Sequence, residues 1–440
     1  MFKTWMKRGV LLSLGLAWTC LAQDTAPLKL PLKDAVGLAL KQNPQVILAN
    51  LQVSQSVQDR LLARSQLLPQ ANGSVSEAVN RLNIQAEIGL NFPGIPQHVG
   101  PFEVFQAGVV VNAPVFDLTL WRRYKSSQMG IDTRRAQEIS AREESVMLVV
   151  SQYLGCQRAA ADVAAAQSRV DLAQAVYDQS ADLQKNGVGT GIDTLRSNVQ
   201  LQNEKQRLIV ASTQLQTSLY GLARLLNIEP NRKIELADQV SFFDTPEVST
   251  DQTLDRAYGS RPELRDVLTR EQRAQLDLKT ADAARLPKVS FNGLWAEQGL
   301  TPASAIPVYI YQGAIDIPLF TGGQIQAQRA KADLAIRQLR QQEQELRNRI
   351  ALEVKTALAQ LQSARTEVNV ANLGVDLAKQ EVEQARDRFQ AGVANNIEVI
   401  TAQDELSRAS DNQIAALYRY NQSRADLAHS IGQMEAMYAK

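Results

Sequence analysis

The chain has 440 residues, with 47 Lys or Arg balanced by 46 Asp or Glu and only 5% aromatic residues. A net charge of +1, with both signs mixed throughout, carries no nucleic-acid footprint. Few aromatics and abundant Gln, Ala and Leu favour long helices over one thick globular core.

The N-terminus reads as a signal peptide over residues 1–22. Lys3, Lys7 and Arg8 precede an apolar run, GVLLSLGLAW, too short to span a bilayer comfortably. Cleavage is expected after Ala22. Lipid attachment at Cys20 is disfavoured, because Trp18-Thr19 replaces the small residues that such a signal carries. The mature chain then keeps only Cys156, which excludes an intramolecular disulfide. No later segment has the ~18 consecutive apolar residues of a transmembrane helix.

Asn43-Pro44 starts a first helix, with proline in its first turn, and Leu68-Pro69 ends it. Two extended stretches follow at about 72–115, SVSEAVNRLNIQAEIGL and FEVFQAGVVVNAPVF, joined by the Gly/Pro-rich PGIPQHVGP. Residues 115–229 then contain no proline. Because an interior proline costs ~3 kcal/mol in a helix, such a tract is a candidate for very long helices. It reads as a helical hairpin over 119–228, with a glycine-broken tip near 187–193. A linker occupies 230–258.

The same order then recurs. Arg261-Pro262 starts a helix that Leu286-Pro287 ends, 218 positions after the first copy. Two strands at about 288–319 follow, with Val289, Phe291 and Trp295 in one and Tyr309, Tyr311, Ile315 and Ile317 in the other at period two. A second hairpin spans 323–433, with its tip near 392–398. Its seam runs Leu346, Ile350, Val354, Ala357, Leu361, Ala364, Val368, Ala371, Val375, Ala378, in steps of four and three, alternating large and small. Shifted back 205 positions, Val163, Ala166, Val170 and Ala173 are identical to their partners and Cys156 stands at Leu361, a small packed position. The chain is therefore two tandem repeats, 23–229 and 259–440.

Aromatic side chains concentrate on the strands, as they do at lipid–water boundaries. Four strands are too few for a closed barrel, and an open edge cannot face lipid, so membrane strands would have to be pooled from several chains. No catalytic constellation, metal set or cofactor motif is evident, and no enzyme activity is expected. His98 is placed in a loop and His429 in a helix, with no partner at ligand spacing. Gly187, Gly189 and Gly191 follow a helix rather than a strand, unlike a phosphate loop.

The duplicated turn carries the most specific signal: Gly187 with Asp193 and Leu195, and Gly392 with Glu398, Val399 and Ile400, the second preceded by Arg388-Phe389. The paired helix ends LARLLNIEP and LAHSIGQME, and Pro-(Val/Leu)-Phe after each second strand, add to it. Over essentially its whole mature length the chain resembles the TolC-like outer-membrane efflux proteins. The resemblance implies an α+β membrane protein, a homotrimer whose strands form one outer-membrane barrel and whose hairpins continue it as a periplasmic α-barrel. It further implies a channel of a tripartite efflux or type I secretion system, with a periplasmic adaptor and an inner-membrane transporter as partners. Gly187, Val188, Gly392 and Val393 would sit at the adaptor-docking tips, and Asp193 and Glu398 at the entrance. Thr401 stands where the family carries a second acid, which argues against a double acidic ring. Both acids also fit a plain helix-capping role, since a helix dipole favours acids in the first turn. Three glycines in the first tip against one in the second predict a more mobile first tip. A soluble periplasmic coiled-coil scaffold or an adaptor is the competing class; the scaffold leaves the strands unexplained, and an adaptor would have a single hairpin.

Overall fold

The computed structural model describes residues 28–84, 86, 89, 96–229, 232–238, 249–391, 393–394 and 396–439. Residues 1–22, expected to be a signal peptide and containing Cys20, and Gly392 of the second tip lie outside the described residues.

Each repeat opens with a short helix, α1 (Leu32–Gln42) or α5 (Thr250–Ser260), followed after one residue by α2 (Pro44–Ser65) or α6 (Pro262–Ala283). Asn43 caps α2 by accepting from the Gln45 amide at 2.8 Å, and proline occupies the first turn of both helices. Strands β2 (Gln70–Asn83) and β3 (His98–Phe116) come next in the first repeat, and β5 (Lys288–Gly299) and β6 (Ile306–Asp316) in the second. The hairpins are α3 (Leu118–Lys185) with α4 (Gly191–Leu225), and α7 (Gln324–Gln390) with α8 (Asn396–Ser430). At ~1.5 Å per residue, α3 and α7, of 68 and 67 residues, each run about 100 Å.

Two features depart from the sequence reading. α5 runs through the expected boundary at 258/259, and it matches α1 at the same 218-residue offset, so it goes with the second repeat. His98 is the first residue of β3, paired with Asn83, rather than part of a loop.

The four long strands form one antiparallel sheet in the order β2-β3-β5-β6. The helices flanking them pack in the matching order α2, α3, α6, α7, so a wall of four strands continues as a wall of four helices. At the helical waist β1 (Leu28–Leu30) pairs in parallel with β4 (Ile234–Leu236). Around that pair lies the main core: Val36 and Ala39 of α1, Val146, Val149, Val150 and Tyr153 of α3, Leu222 and Leu226 at the end of the first hairpin, and Met434 of α9 (Met434–Tyr438). Glu143 caps α9, accepting from the Met434 and Glu435 amides at 2.7 and 3.2 Å, while Arg142 holds Glu435 at 2.5 Å.

The predicted seam is largely buried: Leu346, Ile350, Val354, Ala357, Ala364, Val368, Val375, Ala378, Val382 and Ala385 in α7. In α3, Val149, Cys156, Ala159, Ala166, Val170, Ala173 and Ser180 repeat it. Cys156 is fully buried and its thiol pKa is pushed up to about 11 by that burial, so it is a packed, unreactive side chain. The duplication reaches the caps. Asn227, at φ 52, and Gly432, at φ 65, stand 205 positions apart and close their helices with the same pair of backbone bonds. In the first they run from Asn227 to the Arg224 carbonyl and from Ile228 to the Ala223 carbonyl, in the second from Gly432 to the His429 carbonyl and from Gln433 to the Ala428 carbonyl.

Candidate channel entrance and membrane sheet

At the first tip α3 ends in a Schellman motif. The Val188 amide donates to the Leu183 carbonyl at 3.1 Å and the Gly187 amide to the Gln184 carbonyl at 3.0 Å. Gly187 has φ 76, the left-handed region this motif requires. A Cβ on Gly189 would lie 2.9 Å from the Gln184 backbone nitrogen, so glycine is needed there for close approach. Thr190 then caps α4. Its hydroxyl donates to an Asp193 carboxylate oxygen at 2.5 Å, and Arg196 lies 4.0 Å from the same carboxylate. Behind the turn, the Ser180 and Ser197 hydroxyls meet at 3.0 Å in a buried contact.

The second tip has a matching bond, from the Val393 amide to the Arg388 carbonyl at 3.0 Å. Its acid is held differently. Glu398 forms an ion pair with Arg388, Oε1 to Nε 3.0 Å, across the turn, with both side chains substantially exposed. Thr401 donates its hydroxyl to the Ile397 carbonyl at 2.9 Å, one turn back in its own helix. Val188 and Val393 are 76% and 69% exposed, so both tips present an apolar side chain outward. Near the tips the hairpins pack on each other through Val176 of α3, Val382 and Ala385 of α7, and Val399 and Ala402 of α8.

Further from the tip a buried polar node joins the hairpins. Arg169 of α3 lies 3.6 Å from Glu204 of α4 and 2.9 Å from Asp411 of α8, and Gln200 donates to Asp404 at 3.3 Å. Glu204 is nearly inaccessible and is also held by Arg207 at 2.7 Å. Sequence reading missed this node and the Arg388–Glu398 pair. The pair had a usable signal: opposite charges flanking a glycine turn at similar distances on either side. The node had none, since its members are far apart in sequence on three helices.

The sheet has two chemically distinct faces, fixed by strand register. One carries Val75, Val109, Trp295, Tyr309, Tyr311 and Ile315, most of them more than half exposed. On it Tyr309 and Tyr311 stack at 5.6 Å, and Phe291 and Tyr311 at 6.3 Å. The other carries Asn72, Ser74, Ser76, Gln106, Asn112, Asn292 and Gln312, with Val110, Leu294 and Ile310 among them. Gly108 lets β3 and β5 approach there, since a Cβ would lie 2.3 Å from that of Ala296. Strands β2 and β6 each pair on one side only, leaving both edges of the sheet open. Among the described residues no helix is long and apolar enough to cross a membrane, and no His, Cys, Asp or Glu group could hold a metal ion.

A two-faced antiparallel sheet carried on helices of about 100 Å defines the class: an outer-membrane channel protein with a large periplasmic part. The family profile described as outer membrane efflux protein matches residues 35–227 and 253–433, and the chain belongs to that family. The alkaline protease secretion protein AprF of Pseudomonas aeruginosa is 23% identical over 428 residues, covering 92% of this chain and 85% of AprF. Among solved structures, the CmeC outer membrane channel of Campylobacter jejuni superposes with a TM-score of 0.77 at 20% identity, over 91% of this chain and 85% of CmeC. VceC of Vibrio cholerae gives 0.75 at 16% identity, over 91% of this chain and 96% of VceC. Both likenesses establish the fold. The protein is an outer-membrane exit duct of the efflux and secretion type.

Proposed function

We propose that three copies pool their sheets into one twelve-stranded outer-membrane barrel, and that their hairpins continue it as a periplasmic tunnel. The open edges of β2 and β6 carry this reading: backbone groups unpaired on both sides of a sheet with an apolar face cannot remain so in lipid. Joining β6 of one copy to β2 of the next satisfies them, and the face with Asn72, Gln106 and Asn292 turns toward the lumen. The tips, with Gly187, Val188, Gly392 and Val393, form the entrance and dock a periplasmic adaptor, which connects the duct to an inner-membrane transporter that selects the cargo.

Glu398 of three copies forms a cation-attracting ring at the entrance, with Arg388 setting how much of its charge is offered to the pore. Asp193 chiefly fixes the first tip through Thr190. Single-channel recording tests the assignment: Glu398→Ala should lower cation selectivity and weaken divalent-ion block, and Asp193→Ala should change both less. Unchanged selectivity and block in Glu398→Ala would remove the ring.

A further inference from the structure

Where strands meet helices, the charge balance of the chain breaks down. Residues 61–69, 117–126, 277–290 and 316–331 hold nine Lys or Arg and four Asp, a net of +5, against +1 for the whole protein. At the opposite end of the apolar sheet face stand acids instead: Glu77, Glu103 and Glu297. The apolar band is thus bounded by acids toward the loops and by a basic collar toward the helices.

The collar is densest at the start of α3, in the run Trp121-Arg122-Arg123-Tyr124-Lys125. This helix has no acid in its first turn, and three cations close behind it, Arg122, Arg123 and Lys125, stand toward the positive end of its dipole. Nothing in helix formation asks for them. Arg122 is used internally, donating to the Lys279 carbonyl of α6. Arg123 lines a cavity with Lys288 and Asp316, which follow the polar register of the sheet. Trp121 and Lys125 each lie about 160° around the helix from Arg123, and so continue the apolar face. Because α3 packs between α2 and α6, this outward side is a face of the wall and not an edge that a second copy would cover. Lys125 Nζ sits 5.6 Å from the Trp121 ring centre, and Trp121 is 47% exposed. Lys125 reaches back along the helix toward the strands, as a lysine does when its ammonium group seeks a headgroup plane.

We propose that Trp121 and Lys125 form a site for the phosphate headgroup of an anionic glycerophospholipid in the periplasmic leaflet, one site per chain. The indole lies at the interface and the ammonium group meets the phosphate. The proposal rests on the barrel reading above, which puts the apolar face in lipid; charge complementarity and continuity with that face select lipid over a soluble anion.

Native mass spectrometry of the full-length purified channel, in micelles doped with phosphatidylglycerol or phosphatidylcholine, tests it. The native protein should retain phosphatidylglycerol preferentially, and Lys125→Gln should bind it about fivefold more weakly, one basic residue at a membrane surface being worth about that factor. Trp121→Ala should weaken retention of both lipids. Arg135→Gln, further along the same helix, should change neither. Equal retention of the two lipids by native protein, full preference kept in Lys125→Gln, or competition by millimolar inorganic phosphate would each overturn the site. Fractionation separates this from the barrel reading: a native protein absent from the outer membrane sinks the barrel, whereas an inserted one without headgroup preference sinks only the lipid site.

Discussion

In the first hairpin Arg169, partly exposed, faces Glu204, which is nearly out of contact with water, at 3.6 Å. At the equivalent places 205 positions on, the second hairpin has Gly374 and Ala409. Its own apolar contact, Ala364 and Val368 against Ala416 and Tyr420, lies about two turns further from the tip. The tips differ in the same spirit. Asp193 is satisfied locally, by Thr190 and Arg196 in its own turn, whereas Glu398 reaches across to Arg388 on the other helix. A gene duplication has kept the length, the caps and the seam while the polar contacts diverged. Apolar seams tolerate drift because they need only volume at the right period; buried charges need a partner placed to within an ångström.

The largest expected effect comes from breaking the node that only the first hairpin has. Glu204→Ala leaves Arg169 with one carboxylate fewer in a buried site and should cost about 3 kcal/mol, read as a lower thermal unfolding midpoint in detergent. A similar loss from Ala409→Gly would show that the two hairpins are equally dependent on this level. Next comes Cys156→Leu, which copies the second repeat into the first. Position 156 is fully enclosed by the waist core, so the added volume should cost about 1–3 kcal/mol. An unchanged midpoint would mean the two seams are interchangeable there.

Gly187→Val forces a β-branched residue to φ 76 and should cost about 1–2 kcal/mol locally, seen as faster proteolysis at the first tip with the waist intact. The smallest effect is expected at Asp162, beside the node, whose carboxyl pKa is raised by burial against the partial relief of Arg158. A raised carboxyl contributes stability that is full below its unfolded value and lost as pH rises through its folded one. Asp162→Asn should therefore raise the unfolding midpoint slightly at pH 7 and leave it unchanged at strongly acid pH. A lower midpoint at pH 7 would make the Arg158 contact dominant.

Much of this was legible from residues alone because it is periodic or punctuated. The seam gave the helices, proline-free tracts gave their lengths, and Asn43-Pro44 and Arg261-Pro262 gave their starts. Alternation gave the strands and the residues of their apolar face. The short waist elements were missed, since α1 and α5, at 11 residues each, take their stability from the core around them. Glycine content at the first tip read as freedom, yet two of its three glycines answer to geometry, Gly187 through its φ and Gly189 through close approach. Partners of the tip acids escaped notice because a sequence shows that a carboxylate is near a turn, not which helix supplies its cation.

The central claim is that this chain's four-stranded sheet is a third of a closed barrel. Sedimentation of the detergent-extracted protein, with bound detergent subtracted, tests it most directly. The account predicts a single species at three times the protomer mass, lost together with heat-resistant migration when the β2 or β6 edge is blocked by proline; a stable, folded monomer with both edges open would contradict it.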